Sequence, residues 1–483
     1  MTESVDANWF AYVAILAWPI LALILYSTTS FATATVWTVL GALLFLPSHA
    51  AIKIPMIPAI DKDSVGNLAA VVGCVFVAAG RKRLSTISLP VAVLAAIYII
   101  SPVITSVLNN DPIVAGPRVI PGVGYYDGVS ALLSQTIAFI PFFLGLRFLC
   151  RSEDVETTLR MLVLAGLIYS LPMLFEVRMS PQLSHWIYGY FPSAYAVEMR
   201  YGGFRPVVFL GNGLIAAFFM ATTFIAAAAL WRTRTRAVVS LPPAGTSAYL
   251  GFVLVLCKSA GALVYATLIG ALVRWFRPRS QVRIAVLLAC IAAAYPVLRM
   301  TDCFPNAQLV ELASVFNKDR SESLEFRFDQ EQRLLEHSSE RIWFGWGRYG
   351  RNRLYNENGD DISVTDGQWI LTVGQFGLLG FIAQFGLLTL PVFRAWSALR
   401  YFEPVRERIL IAALTLIVAL AAIEQLPNAS ISPWSWLLGG ALYGCSEAAA
   451  LRRRARRSAP RITELEPPTP TRYASRAGAS LTI

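Results

Sequence analysis

The sequence predicts an all-α, polytopic transmembrane bundle of about 12–13 spans with one long extracytoplasmic loop containing an amphipathic helix. Three observations carry that prediction. Of 483 residues, 56% are hydrophobic and 15% charged, and the mean hydropathy is +0.55, where soluble domains carry roughly 25% charged residues. Apolar runs of about the length that crosses a roughly 30 Å hydrocarbon core recur from residue 10 to residue 445. Short arginine-rich hinges separate many of these runs, and no soluble domain of ordinary size fits between them.

In chain order the expected spans are residues 10–27, 31–47, 67–80, 87–107, 128–148, 161–176, 207–230, 244–257, 260–275, 284–299, 368–393, 409–424 and 434–450, with the N-terminus outside. The first run follows an acidic, Lys-free start (Glu3, Asp6) and precedes further spans, so it reads as a membrane helix rather than a cleaved signal. The third, eighth and ninth runs are short enough for one to be re-entrant or merged, and an even count with the N-terminus inside is the main alternative. The hinges are Arg81, Lys82 and Arg83; Arg147, Arg151 and Arg160; Arg232, Arg234 and Arg236; Arg277, Arg279 and Arg283; Arg394, Arg400, Arg406 and Arg408; and Arg452 to Arg457. One threading places all of them on the cytoplasmic side. The net charge of +11 therefore serves orientation first, and no nucleic-acid partner is expected. Residues 1–457 form the membrane domain, and residues 458–483, rich in Pro, Ser, Thr and Arg, are expected to be a disordered cytoplasmic tail.

Outside connections then include a short loop with Lys62, a Gly/Pro-rich stretch at 109–127, an aromatic stretch at 178–205, a tight turn at Lys258, a long loop at 300–366 and a short link at 426–433. Arg200, Arg205 and Lys258 sit in these connections, where orientation rules disfavour basic residues. Arg200-Tyr201-Gly202-Gly203-Phe204-Arg205-Pro206 leads into the seventh span with Pro206 suited to a first helical turn. Two guanidiniums would thus flank a helix N-terminus, whose free N–H groups and positive dipole end favour an anion such as a diphosphate. The alternatives are snorkelling to lipid headgroups, for Lys258 as well, or a pair between an arginine and Glu198.

The long loop holds eight Lys/Arg and thirteen Asp/Glu, so most of its ions are expected to pair with one another or with water. Within it Leu324, Phe328, Glu331 and Leu335 recur at helical spacing over 321–338, predicting an amphipathic helix on the outer surface. Glu331 is either a general base with a raised pKa or the partner of Arg327 one turn earlier. Trp343-Phe344-Gly345-Trp346-Gly347 and Thr365-Asp366-Gly367-Gln368-Trp369 follow. Trp343, Trp346 and Trp369 could stack on sugar rings or anchor the bilayer interface. Asp366 could cap the next helix, act as a base, or both.

Several chemistries lack their residues. There is no Gly-x-x-x-x-Gly-Lys-Ser/Thr loop, His-Glu-x-x-His pattern or Gly-x-Ser-x-Gly elbow, and His49, His185 and His337 are the only histidines. The six cysteines, at 74, 150, 257, 290, 303 and 445, show no metal or disulfide spacing. Few ionisable residues fall deep inside spans, which weighs against a proton-relay transporter.

These pieces together resemble the O-antigen polymerase and O-antigen ligase superfamily of bacterial membrane glycosyltransferases. The resemblance covers roughly residues 195–395. It rests on Arg200 followed by ten residues and Gly211; on Lys258 to Gly261, similar to a Ser-Arg-Gly turn; on Arg327 with Phe344-Gly345-Trp346-Gly347; and on Asp366-Gly367-Gln368-Trp369 through Gly377-Leu378-Leu379-Gly380. Lys258 stands where the family usually has Arg, and Asp366 where it has the His of the ligase motif. The resemblance implies a cavity open to the periplasm of the bacterial inner membrane, where an undecaprenyl-diphosphate-linked oligosaccharide meets an acceptor glycan or lipid without metal or other cofactor. It implies membrane lipids, a chain-length regulator and a flippase as further partners. Arg200 and Arg205 would hold the diphosphate with Arg327 or Lys258 in support, and Asp366 or Glu331 would be the base. Polymerisation of repeat units is the first expectation, ligation of finished glycan the second, and solute or anion transport the alternative of a different class.

Overall fold

The computed structural model describes residues 7–53, 58–77, 87–200, 202–237, 240–301, 303–316 and 318–458. The expected hinge at Arg81, Lys82 and Arg83 and the tail from 459 lie outside the described residues. Each of the predicted spans coincides with a helix: α1 (Trp9–Thr28), α2 (Phe31–Phe45), α3 (Lys62–Val77), α4 (Leu89–Leu108), α5 (Tyr125–Phe148), α6 (Ser152–Met179), and, after two short outer helices, α7 (Leu183–Tyr188) and α8 (Tyr195–Glu198), the helices α9 (Gly213–Arg232), α10 (Pro243–Leu256), α11 (Ala260–Trp275) and α12 (Pro278–Met300). The long loop forms α13 (Asn306–Phe316) and α14 (Lys318–Ser339), before α15 (Gln368–Ala398), α16 (Val405–Glu424) and α17 (Pro433–Ser458) complete the bundle. Among the described residues, seven helices (α1, α4, α5, α6, α9, α12 and α15) are long and apolar enough to cross a membrane, and α2, α10 and α11 are shorter apolar helices. The chain is an all-α, multi-pass membrane protein. Among the described residues the strands form two hairpins, β1 (Ile113–Ala115) with β2 (Arg118–Ile120) and β3 (Met199–Arg200) with β4 (Gly203–Phe204).

The helices α9 and α16 are buried on nearly every face, as befits segments apolar all round. Helices α1, α4 and α12 expose Leu16, Ile20, Val93, Ile100 and Leu287 outward, a face suited to lipid. Small residues set the closest approach: a Cβ on Gly440 of α17 would lie 2.0 Å from the Phe142 carbonyl oxygen of α5, and one on Gly145 2.4 Å from that of Leu437. The short helices α10 and α11 stay separate. The Phe224 ring of α9 sits between them, close to Gly251 on one edge and Gly270 on the other, so they splay into a V whose apex is the turn at Lys258 (φ +50°).

Direct contacts gather the described hinges at one end of the bundle. Arg232 donates to the carbonyls of Val273 (2.7 Å) and Phe276, Ser152 to Glu407 (2.8 Å), and Arg406 to Thr235 (3.1 Å) and Glu156 (2.7 Å); Arg394 pairs with Glu447 (2.6 Å). The opposite end collects the expected outside connections. Asn8 N–H donates to the Tyr188 carbonyl (2.9 Å), the His49 ring bonds the Pro192 carbonyl (2.8 Å), and Arg341 pairs with Asp111 (2.7 Å). Lys62 is not in a loop: it opens α3, buried, and donates to the Phe209 carbonyl at 3.3 Å. The seventh span begins later than expected. Residues 207–212 are non-helical, with 207–210 buried, and α9 starts at Gly213, so Pro206 does not occupy a first helical turn. Those buried backbone groups find partners, because Val207 and Val208 N–H donate to the Glu176 carboxylate (2.8 and 2.7 Å) and Phe209 N–H to the Tyr169 hydroxyl (3.0 Å).

Candidate functional site

At the end opposite the hinges, three residues singled out in the sequence share a cavity of about 210 Å³: Arg327, Glu331 and Asp366. Helix α14 brings Leu324, Arg327, Phe328 and Glu331 to one face at spacings of three and four. Tyr295 and Arg299, one turn apart at the end of α12, meet that face, and Asp366 comes from the entry to α15.

The pairing differs from expectation. Glu331 does not pair with Arg327. It lies 3.5 Å from the Arg299 guanidinium, and accepts hydrogen bonds from the Tyr295 hydroxyl (3.1 Å) and the Trp369 indole N–H (3.1 Å). Arg327 pairs with Asp366 at 3.1 Å. Asp366 does not cap α15, whose N-cap is Gly367, with no side-chain capping bond. Helix α14 is packed against α15 rather than lying free on the outer surface, with Leu334, Leu335 and Ser338 buried. Burial raises the Glu331 carboxyl above its ordinary range, opposed by the Trp369 hydrogen bond, the Arg299 charge and the Tyr295 hydrogen bond. A carboxylate so placed can accept a proton nearer neutral pH than a solvated one.

The second cluster is basic. Strand β3 carries Arg200, exposed, and the opposite strand carries Gly203, beside which the Lys258 ammonium packs closely enough to fill the place of a Cβ. Arg205 follows, buried, and pairs with Glu198 at 3.7 Å. The same Glu198 accepts the Gly213 N–H (3.2 Å), while Asn212 takes that of Ile215 (2.9 Å). The anion at the start of α9 is therefore the chain's own Glu198, not a vacant ligand place, and Arg205 is its counter-ion. Arg200, Arg205 and Lys258 are brought together around the β3–β4 hairpin, but none of them lines the cavity of Glu331.

The tryptophans divide. Trp369 is fully buried and engaged with Glu331, so no face is open to a sugar. Trp346 is covered on its ring by His337, stacked at 4.4 Å, and by the Arg341 guanidinium at 4.1 Å. Trp343 alone is exposed, at 59%. Its segment does something the sequence reading missed. Helix α15 breaks at Gly377 (φ +68°, ψ −168°), and the loop backbone completes the break: Trp346 and Gly347 N–H donate to the Gly374 and Gln375 carbonyls (2.8 and 2.9 Å), and Leu378 N–H donates to the Ile342 carbonyl (2.7 Å). Arg351, fully buried, then latches the loop to 109–127 through the carbonyls of Asp111 (2.8 Å) and Pro121 (3.0 Å).

Arg299 and Tyr295 were also missed. The signal was present for Arg299, a basic residue at the end of a span expected to face outside, the same criterion that singled out Arg205 and Lys258. The fold and this cluster define a polytopic α-helical membrane protein with an ionic pocket at the end away from its arginine hinges. No family model matches the chain, and no curated protein does.

Proposed function

We propose that the protein is a membrane glycosyltransferase that polymerises undecaprenyl-diphosphate-linked oligosaccharide repeat units at the periplasmic face of the bacterial inner membrane. The observation that supports it most is the cavity in which Glu331, made more basic by burial, stands with Arg327 and Asp366 at the end away from the hinges. On this proposal the acceptor hydroxyl gives its proton to Glu331 as its oxygen attacks the anomeric carbon. The bond from that carbon to the diphosphate breaks with its electron pair going to the leaving group, and the configuration inverts. Arg327, the arginine that lines the cavity, would face the developing charge, and Arg200 and Lys258 add a second positive patch at the same end for the lipid diphosphate. Arg205, neutralised by Glu198, serves to hold the hairpin that presents Arg200. Of the tryptophans, Trp343 is the one with a face for a sugar ring.

Transport is disfavoured by where the buried ions stand. Lys62, Glu176, Arg299 and Glu424 each lie within one turn of a helix end, whereas transport sites gather near the bilayer midplane. Ligation uses the same chemistry with a different acceptor, and glycan analysis separates the two. Cells lacking the protein are complemented with wild type, Glu331→Gln, Arg327→Ala or Arg200→Ala, and the size ladder of surface polysaccharide is read alongside protein level. Polymerisation predicts that Glu331→Gln leaves single repeats on the final acceptor. Long chains accumulating on the lipid carrier would indicate ligation, and an unchanged ladder at normal protein level would refute both.

A further inference from the structure

The hinge end holds a second cavity, of about 740 Å³, with an unusual wall: Arg277, Arg279, Arg283, Arg400 and Arg408 converge on it from the α11–α12 hinge, the end of α15 and the start of α16, and no carboxylate lines it. Orientation in the membrane requires arginines at this end, but not that they share one hollow without counter-charge. Elsewhere at the same end they are neutralised: Arg394 by Glu447 and Arg406 by Glu156. Among the described residues none of the five is in an ion pair. Arg408 donates to the carbonyls of Phe402 (2.6 Å) and Glu403 (3.2 Å), and Arg400 to the Tyr401 hydroxyl (2.9 Å), which holds these two in place without cancelling their charge. Trp396, Leu399 and Val405 make the remainder of the wall largely apolar, and Trp396 is 55% exposed, as suits a membrane interface.

We infer that this cavity is a binding site for an anionic phosphate group, with the apolar wall favouring the headgroup of an anionic phospholipid of the adjoining leaflet. Guanidiniums match phosphate oxygens by paired N–H donors, and a lipid's acyl chains would follow the apolar side. A free phosphate compound offers the same oxygens without the chains. The site lies at the opposite end of the bundle from Glu331, so it stands or falls independently of the proposed glycosyl transfer.

The test uses the purified full chain in a neutral detergent, with phosphatidylglycerol, phosphatidylcholine and inorganic pyrophosphate as probes, read by native mass spectrometry and by thermal unfolding. Arg279→Gln with Arg283→Gln is the test variant, since both side chains are exposed. Arg178→Gln with Arg348→Gln, at the other end, is the charge-matched control. Phosphatidylglycerol should be retained in preference to phosphatidylcholine and raise the unfolding temperature. The test variant should bind it at least about tenfold more weakly, and the control like wild type. Stabilisation by pyrophosphate, lost in the test variant, would identify a soluble phosphate compound as the source. Equal retention of the two lipids with no response to pyrophosphate, or wild-type binding by a test variant of unchanged helical circular dichroism, overturns the inference.

Discussion

Glu331 and its partners show how a residue's environment decides its chemistry. The carboxyl is raised by burial, so the folded state binds its proton more tightly than the unfolded chain does. Its contribution to stability is therefore fully present at pH below the ordinary carboxylate range and is lost as pH climbs to the raised value. The unfolding temperature of wild type minus that of Glu331→Gln should fall across that interval; a pH-independent difference would contradict it. On the proposed chemistry, the acid limb of the transfer rate should also lie above the ordinary carboxylate range, because only the ionised form accepts a proton. Arg299 and Arg327 should separate in their effect on stability. Arg299 is 2% exposed, and Arg299→Ala leaves a carboxylate that is 13% exposed without its ion partner, a loss of about 3 kcal/mol. The Arg327–Asp366 pair is 38% and 41% exposed, and Arg327→Ala should cost only about 0.5 kcal/mol while reducing activity. Denaturation of the two purified variants distinguishes these outcomes.

At the scale of the element, the informative feature is the break in α15. Its φ and ψ at Gly377 belong to a region that side-chain-bearing residues avoid, and a Cβ there would lie 2.3 Å from the Trp343 carbonyl carbon. Four backbone groups released by the break are taken up by residues 342–347, which joins the long loop to the membrane bundle and sets α14, hence Glu331, over the ends of α12 and α16. Gly377→Ala should destabilise the fold by at least about 2 kcal/mol and lower activity, since the strain of a glycine-only backbone conformation and the clash act together. Gly261→Ala is the matched comparison: that position in α11 has open space for a Cβ, and helix propensity favours Ala, so a change within about 0.5 kcal/mol is expected. Thermal unfolding of both purified variants decides the matter. A similar logic governs residues 207–212, where the Glu176 carboxylate takes the buried N–H groups of Val207 and Val208, which lie outside any helix.

For the molecule as a whole, the arginine hinges and the ionic pocket define two ends, and the bilayer must lie between them. Ser339, exposed at the end of α14, and Ser397, exposed at the end of α15, mark those ends. In a background lacking Cys290 and Cys303, the exposed native cysteines, Ser339→Cys should react with a membrane-impermeant thiol reagent in intact cells, and Ser397→Cys only after permeabilisation. Labelling of both from one side would break the threading. Much of this large-scale arrangement was legible in the sequence, since hydropathy and arginine placement are summed over many residues and tolerate local error. Helix ends were less legible: Pro206 and Lys62 were each misplaced because a buried carboxylate or carbonyl elsewhere in the chain satisfied the local backbone or charge.

By itself the sequence determined that this chain is a multi-span helical bundle, which stretches connect the spans, and that Arg327, Glu331 and Asp366 belong among the polar residues of the long loop. Bilayer thickness and the cost of unsatisfied backbone in hydrocarbon act on consecutive residues, so they can be read along a single chain. The tertiary structure alone decided who pairs with whom: Arg299 rather than Arg327 for Glu331, Glu198 for Arg205, and stacking partners instead of open faces for Trp346 and Trp369. An ion buried among helices is matched to whichever opposite charge the packing brings within a few ångströms, and helix packing joins residues far apart in the chain.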